Sequence, residues 1–233
     1  MTDQQQQDLE KQAAARAGVQ LVQEGQIVGL GSGSTAAYFL RFLAERVRAG
    51  LNLRGIPTSV HTQQLAASLG IPLTTLDEIQ QIDVAVDGAD EVDPNLQLIK
   101  GGGGAFLREK IIASAARRFV VIADSGKRVD VLGKFAVPVE VVPFAQKLVA
   151  KEIQALGASV QLRSQASGQI YVTDEGHHIL DCRFGEIHDP AKLALQLESI
   201  PGVMEHGLFV NMAEIVLIAQ GEQITELRRL AAP

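Results

Sequence analysis

Apolar residues along this chain fall either into short runs typical of buried strands or into longer stretches with helical spacing. Runs at 26–30, 53–59, 72–76, 83–86 and 119–123 predict strands, and the segments between most of them carry apolar positions three or four residues apart, as helices do. Strands that alternate with helices predict a parallel sheet with helices on both faces. Ligands of such sheets bind beyond the carboxyl ends of the strands.

The first predicted helix spans 4–24, and Leu9, Ala13, Ala17 and Leu21 lie on one of its faces. We expect this face to be buried against the sheet. Helices are also predicted at 35–49, at 61–69 and at 105–117.

The pattern changes near residue 130. Strands predicted at 137–142, 159–163, 179–184 and 203–206, with helices at 143–156 and 189–199, follow the order strand-helix-strand-strand-helix-strand, which is ferredoxin-like. An apolar strand within 208–219 is expected to return to the first sheet. We therefore predict an α/β chain with two domains: a Rossmann-like parallel-sheet domain formed by 1–130 plus 207–233, and an inserted smaller ferredoxin-like α+β domain at 131–206.

The amino-acid composition disfavours several classes of function. The chain has 233 residues, 46% of them hydrophobic, which is enough for a sizeable core. Its formal charge is 21 − 27 = −6, and an acidic chain without a basic tract disfavours nucleic acid and anionic membranes as partners. Cys182 is the single cysteine, and the polar start carries no signal-peptide pattern, so we expect a reduced, cytoplasmic setting.

A glycine-rich turn, GLGSGST at 29–35, lies between a predicted strand and a predicted helix. The unpaired amides and the dipole of a helix N-terminus attract phosphate, and Ser34 and Thr35 add hydroxyl groups that can cap the helix. The turn is neither a dinucleotide G-x-G-x-x-G nor a G-x-x-x-x-G-K-[ST] loop. Taken alone, it is equally compatible with a tight strand-to-helix turn.

The other residues that could take part in catalysis lie in the stretch 86–112. Asp87 and Asp90 follow a strand, Lys100 precedes four glycines, and Glu109 begins a helix. A carboxylate at that place can act as a general base, a lysine can stabilise an oxyanion, and glycines let the backbone approach a ligand. This combination suggests proton abstraction next to a carbonyl, as in an aldose–ketose isomerisation through an enediolate, which needs neither nicotinamide nor an obligatory metal.

Each of these residues also has a purely structural interpretation. The aspartates can form turns, Glu109 can be a favourable first-turn acid, and Lys100 and Lys127 can be solvated. The acidic run that includes Glu91 and Asp93 offers oxygen ligands for magnesium but lacks EF-hand spacing. The histidines show no ligand spacing, and Cys182 on an apolar strand fits buried packing.

Several motifs in one order resemble the type A ribose-5-phosphate isomerase family: GLGSGSTA, VDGADEVD, LIKGGGG with LREKI, IADSGK, LGKFAVPVEV and IPGVMEHGLF. The resemblance covers nearly the whole chain. It implies interconversion of ribose 5-phosphate and ribulose 5-phosphate in the non-oxidative pentose phosphate pathway, without a cofactor or metal. It also implies a Rossmann-like domain with a ferredoxin-like second domain, and a homo-oligomer, commonly a homodimer.

The resemblance assigns roles to individual residues. Glu109 matches the general base that shuttles the proton between C2 and C1, Asp87 and Asp90 match aspartates that assist ring opening and hold hydroxyls, and Lys100 matches the lysine beside the reacting oxygens. Ser32 stands where threonine is frequent, Gly104 where alanine is common, and His177 where asparagine is common, and we expect all three to be tolerated. The residues expected to bind substrate are Ser32, Gly33, Ser34, Thr35, Asp87, Gly88, Ala89, Asp90, Lys100, Gly101, Gly102, Gly103 and Lys127.

Two other function classes remain open from sequence. A sugar-phosphate sensor would need a DNA-binding module, and the roughly 25 residues before the first strand show no basic helix-turn-helix pattern. A CoA-transferase-like enzyme would need a glutamate placed to form a thioester, which Glu109 alone does not exclude. Retention of both Glu109 and Lys100 favours the isomerase.

Overall fold

The computed structural model describes residues 2–229. Its helices are α1 (Asp3–Val19), α2 (Ser34–Arg48), α3 (Val60–Ser68), α4 (Phe106–Ala115), α5 (Gln146–Ala155) and α6 (Pro190–Glu198). Its strands are β1 (Ile27–Leu30), β2 (Arg54–Pro57), β3 (Ile82–Asp87), β4 (Glu91–Val92), β5 (Leu98–Ile99), β6 (Ala116–Asp124), β7 (Val137–Val141), β8 (Ser159–Leu162), β9 (His178–Arg183), β10 (Val203–His206), β11 (Leu208–Phe209), β12 (Ile215–Gln220) and β13 (Gln223–Arg228).

Six strands form one sheet in the order β13-β12-β6-β3-β1-β2. All neighbours in it are parallel except β12 and β13, which are antiparallel. The predicted parallel sheet is confirmed, and so is the return of the apolar strand near the C-terminus, since β12 pairs with β6. The edge strand β13 was not predicted, because its outward-facing residues are polar.

The buried face of α1 differs from the predicted one. Leu9 is 48% exposed, whereas Ala14, Ala15 and Val19 belong to the core beneath the helix. Small side chains on that face let the helix lie close to the sheet. The prediction was wrong at Leu9 because it weighted the largest apolar residue, and the helix instead buries its alanines and the carboxylate of Glu10.

The second compact part contains the strand order β10-β7-β9-β8, with every neighbouring pair antiparallel. Together with α5 after β7 and α6 after β9, this is the predicted ferredoxin-like arrangement. Helix α6 begins as expected, with Asp189 accepting a hydrogen bond from the Lys192 amide and Pro190 in the first turn. The core between sheet and helices includes Val139, Ile153, Leu180 and Leu197.

A three-stranded sheet, β11-β5-β4, was not predicted. Each of its strands has two residues, too few to show a period in the sequence. The prediction of a strand at 72–76 was wrong. There the chain forms one isolated bridge, Gly55 with Leu73, and then a 3₁₀ helix at Leu76–Glu78.

The chain divides into two compact units. One comprises Met1–Ala89, Arg108–Arg128 and Met212–Pro233, and the other comprises Asp90–Leu107 and Val129–Asn211. The predicted domain boundary after 130 lies close to the division after 128, whereas 90–107 and 207–211 group with the smaller unit. The assignment of folding domains at 1–130 plus 207–233 and at 131–206 stays a prediction. Across the described residues, no helix is both long and apolar enough to cross a membrane.

Candidate active site

The glycine turn joins β1 to α2 at the carboxyl end of the parallel sheet. Gly33 is the N-cap of α2 and has φ 94° and ψ −178°, a conformation that side-chain-bearing residues avoid. Within the described chain, no side-chain oxygen caps α2, so the predicted capping by Ser34 and Thr35 was wrong. The first amides of α2 therefore have no protein side chain as cap, as expected of an anion-binding turn.

Asp87 ends β3, the strand next to β1, and its carboxylate organises the turn. Oδ1 of Asp87 accepts hydrogen bonds from the amides of Ser32, at 3.0 Å, and of Gly88, at 2.7 Å. A side chain at Gly31 would collide with this carboxylate, because a Cβ there would lie 2.2 Å from Oδ1. The buried Asp87 thus fixes the start of the glycine turn, and no sequence pattern predicted this contact.

The Ser32 hydroxyl lies in a cluster of hydroxyl groups. Its Oγ is 2.8 Å from the hydroxyls of Thr58 and Ser59 and 3.0 Å from that of Thr62. Thr62 donates in turn to the Gly31 carbonyl. This network ties the glycine turn to the start of α3. The substrate-binding role predicted for Ser32 stays a prediction, and its visible contacts are structural.

Lys127 lies just beyond β6, which is the neighbour of β3 on the other side. Its 3₁₀ turn, Ser125–Lys127, is held by Glu10 of α1: the Ser125 amide and hydroxyl donate to Oε2 at 3.0 and 2.7 Å. Oε1 of Glu10 accepts from the Gly221 amide at 3.0 Å and from the Gln6 side chain at 2.9 Å. Burial alone would raise the pKa of Glu10, but these hydrogen bonds lower it to about 2.

Glu109 lies in the first turn of α4 and is 5% exposed. A buried carboxylate at a helix N-terminus has the helix dipole to favour its charge and little water to compete for its oxygens. Such surroundings suit a general base. Glu109, Asp87, Gly88, Ala89, Lys127 and the glycine turn 32–35 all belong to the larger unit.

In the smaller unit, Asp90 and the glycines after Lys100 contact each other directly. The Gly102 amide donates to Oδ2 of Asp90 at 2.7 Å, and the Asp90 amide donates to the Ile99 carbonyl at 2.8 Å. Lys100 is 3% exposed, and its Nζ lies 5.4 Å from the centre of the Phe209 ring. Full solvation, the structural alternative for Lys100, is therefore wrong. Lysines are seldom fully buried unless their charge is paired.

The other two acids of the run bind backbone. The Glu91 carboxylate accepts from the amides of Gly133 and Phe135, and Oδ1 of Asp93 accepts from those of Asn95 and Gln97. These carboxylates stabilise loops. In residues 2–229 no group of three or more acids, histidines or cysteines is placed to hold a metal ion.

The side chains of His177, His178 and Cys182 make hydrogen bonds or packing contacts that stabilise the fold. His177 Nδ1 lies 2.9 Å from the Glu140 carboxylate, and His178 Nδ1 lies 2.7 Å from the Gln146 side-chain oxygen. Burial raises the pKa of the Cys182 thiol, with a further contribution from Asp181. The packing role predicted for Cys182 agrees with its buried position on β9.

The sequence model of ribose 5-phosphate isomerase A (phosphoriboisomerase A) matches residues 54–223. The chain is 51% identical to ribose-5-phosphate isomerase A of Rhodopseudomonas palustris (strain HaA2), over 95% of this chain and 98% of that protein. This chain belongs to the ribose 5-phosphate isomerase A family.

Solved structures agree with this membership. The ribose 5-phosphate isomerase A of Methanocaldococcus jannaschii is 42% identical and superposes with a TM-score of 0.90, over 95% of this chain and 98% of that chain. A D-ribose-5-phosphate isomerase in complex with phospho-erythronic acid is 41% identical and superposes with a TM-score of 0.93, over 96% and 99% of the two chains. The isomerase family and the α/β fold predicted from the motifs are confirmed.

Proposed function

We propose that this chain interconverts D-ribose 5-phosphate and D-ribulose 5-phosphate, as an enzyme of the non-oxidative pentose phosphate pathway. The observation that carries the proposal is family membership over nearly the whole length, with 51% identity to a relative that bears this activity in its name. The phospho-erythronic acid bound to the similar solved isomerase is a phosphorylated sugar acid, which agrees with a phosphorylated substrate for this chain.

The proposed chemistry is a proton transfer through an enediolate. The Glu109 carboxylate removes the proton from C2 of open-chain ribose 5-phosphate and returns it to C1, while a second proton moves from the C2 oxygen to the C1 oxygen. Lys100 stabilises the negative oxygen that develops, and Asp87 and Asp90 assist ring opening and hold hydroxyl groups. The burial of Glu109 and Lys100 supports these roles, because charges act more strongly where water is excluded.

Binding is assigned to backbone amides with a few side chains. The amides of 33–35 at the start of α2 suit an anion, and so do those of Gly101 and Gly103. The Gly102 amide already donates to Asp90, so Gly102 is assigned to binding through the close approach of its backbone. Gly88 and Ala89 follow Asp87 and bring the backbone close to substrate, and Lys127 adds a positive charge. For a chain of net charge −6, such local donors supply the attraction that the overall charge does not.

The experiment is conversion of ribose 5-phosphate by purified protein in EDTA, beside the Glu109→Gln variant. Loss of a positioned general base lowers kcat by roughly 10²–10⁴-fold. The matched control is Glu45→Gln, which removes an exposed acid of α2 and is expected to keep the parental rate.

Each possible result supports or rejects either the reaction or the role of Glu109. An active parent and a failed Glu109→Gln variant that still binds phospho-erythronate support both the reaction and the base. A parent that binds sugar phosphate without turnover rejects the isomerase and favours a sensor. A Glu109→Gln variant with near-parental turnover rejects the base assignment and directs attention to Asp87 and Asp90.

We also propose that the protein acts in the cytoplasm as a homodimer. The metabolic character of its relatives supports the compartment. An apolar surface supports the dimer: Phe144 is 99% exposed, and Leu148, four residues further, is 60% exposed. Light scattering is expected to give a mass twice that of the 24.9 kDa chain, and a mass equal to one chain contradicts the dimer.

A further inference from the structure

Three consecutive carbonyl groups of the glycine loop Gly101–Gly104 are held by side chains that follow β8. Nη1 of Arg163 donates to the carbonyl of Gly101 at 2.8 Å and to that of Gly102 at 3.3 Å. The Tyr171 hydroxyl donates to the carbonyl of Gly103 at 3.1 Å. All of these residues belong to the smaller unit.

Arg163 is itself fixed by Asp181 of β9. Nε of Arg163 donates to Oδ2 of Asp181 at 3.0 Å, and Nη2 donates to Oδ1. The arginine side chain is only 12% exposed. This two-point contact uses the planar fork of the guanidinium and leaves Nη1 directed at the loop. Asp181 therefore acts on the loop through Arg163.

Tyr171 and Arg163 form one structural element. The Tyr171 amide donates to the Arg163 carbonyl at 3.0 Å, and the guanidinium carbon lies 5.9 Å from the centre of the tyrosine ring. Gly104 makes room for this tyrosine, since a Cβ there would lie 2.4 Å from the Tyr171 hydroxyl oxygen. Glycine at 104, which was expected to be tolerated where alanine is common, is thus the residue that fits Tyr171 in this position.

Holding carbonyls also orients amides, because the peptide group is planar and its N–H points opposite to its C=O. The peptide between Gly101 and Gly102 is held on both sides: its carbonyl accepts from Arg163, and its N–H donates to Asp90. Gly102 and Gly103 are exposed, and free glycines lose much conformational entropy when a ligand orders them. A loop ordered in advance avoids that loss on binding.

We propose that Arg163, oriented by Asp181, and Tyr171 are positioning residues that hold the Gly101–Gly104 loop ready to bind the sugar phosphate. The inference rests on the proposed isomerase function, which it deepens. It predicts that removing these contacts weakens substrate binding, whereas the proton transfer by Glu109 continues once the substrate is bound.

The test compares the steady-state kinetics of Arg163→Lys, Asp181→Asn and Tyr171→Phe with those of the parent. Each variant is expected to raise KM for ribose 5-phosphate about tenfold, the factor of one ordinary hydrogen bond, and to change kcat less than about threefold. Because Asp181 acts through Arg163, the double variant Arg163→Lys/Asp181→Asn should show no larger rise in KM than Arg163→Lys alone.

The matched control is Arg183→Lys. Arg183 is the last residue of β9 and lines, together with Gly102 and Arg163, a cavity of about 630 Å³. We expect parental KM and kcat for it. A merely structural role for Arg163 and Tyr171 predicts the opposite split, because partial unfolding lowers the active fraction and hence kcat at unchanged KM. That result, or independent effects of Asp181 and Arg163, overturns the inference.

A measurement without substrate separates this inference from the proposed function. Backbone ¹⁵N order parameters of Gly102 and Gly103 should be about 0.85 in the parent, the value of a rigid backbone. They should fall below about 0.6, the range of a flexible backbone, in Arg163→Lys and Tyr171→Phe. An inactive parent with this fall rejects the isomerase but keeps the loop-positioning role. Unchanged order parameters in both variants reject the positioning role whatever the activity.

Discussion

Glu10 offers the sharpest prediction about stability, because one buried carboxylate joins three segments of the larger unit. It accepts hydrogen bonds from α1 itself, from the Ser125–Lys127 turn and from the turn between β12 and β13. The perturbation is Glu10→Gln, which keeps the size of the side chain. The variant replaces one acceptor oxygen by an NH₂ group that faces donors.

The magnitude follows from the pKa of Glu10. Burial opposes its charge, but the hydrogen bonds lower the pKa from 4.5 to about 2. At 1.36 kcal/mol for each pH unit, the ionised carboxylate stabilises the fold by roughly 3 kcal/mol at pH 7. Since the folded-state pKa is depressed, this stability is present above pH 4.5 and is lost as the pH falls through 2. At pH 3, roughly 1.4 kcal/mol remains.

The assay is urea unfolding of parent and variant at pH 7 and at pH 3. We expect Glu10→Gln to lose roughly 2–3 kcal/mol at pH 7 and less than half of that at pH 3. The control is Glu24→Gln, which removes the charge of an exposed acid that accepts one hydrogen bond, from the Asn52 amide, and should cost at most about 0.5 kcal/mol. An equal loss for Glu10→Gln at both pH values refutes the charge argument and leaves only packing.

Three further predictions concern other residues. Burial raises the pKa of Glu140, although hydrogen bonds from Thr173 and His177 oppose this, so the protein loses stability as the pH rises above 4.5. Glu140→Gln should therefore have a higher Tm than the parent at pH 8 and an equal Tm at pH 4. A lower Tm of the variant at pH 8 contradicts this prediction. Gly33→Ala should lose about 1–3 kcal/mol of stability and raise KM for ribose 5-phosphate. The control Gly50→Ala, which has a similar positive φ of 105° but lies at the far end of α2, should lose stability alone. Equal kinetics for the two variants contradict a binding role for the Gly33 turn. The buried Cys182, whose thiol pKa is raised by burial, should react with Ellman's reagent only after unfolding, and rapid reaction in buffer disproves its burial.

The sequence was informative wherever chemistry follows a strand directly. Asp87 is the last residue of β3, and Gly33 and Lys127 lie just beyond the carboxyl ends of β1 and β6. Hydrophobic runs are enough to predict where such strands end. Glu109 was recognisable from its place in the first turn of a helix after four glycines. In the smaller unit, the ferredoxin-like strand order follows from the order of the elements.

The contacts that support the site were not predictable in the same way. Arg163 meets Asp181 because Gln161 pairs with Asp181 in the β8–β9 ladder, and a register of this kind cannot be read from two short strands separated by a long turn. No sequence pattern singled out Glu10, because its partners, Ser125 and Gly221, are more than a hundred residues away in the chain. Each miss involves a side chain whose role depends on long-range pairing.

In the proposed reaction, Glu109 moves a proton between C2 and C1 of ribose 5-phosphate. The most direct measurement is NMR of the product formed by the parent in D₂O with EDTA. A carboxylate that holds the proton between its removal and its return exchanges it with solvent, so we expect ribulose 5-phosphate with deuterium at C1 in at least part of the product, and no such product from Glu109→Gln. Product that forms at the parental rate without any deuterium, or equal labelling by the variant, contradicts the account.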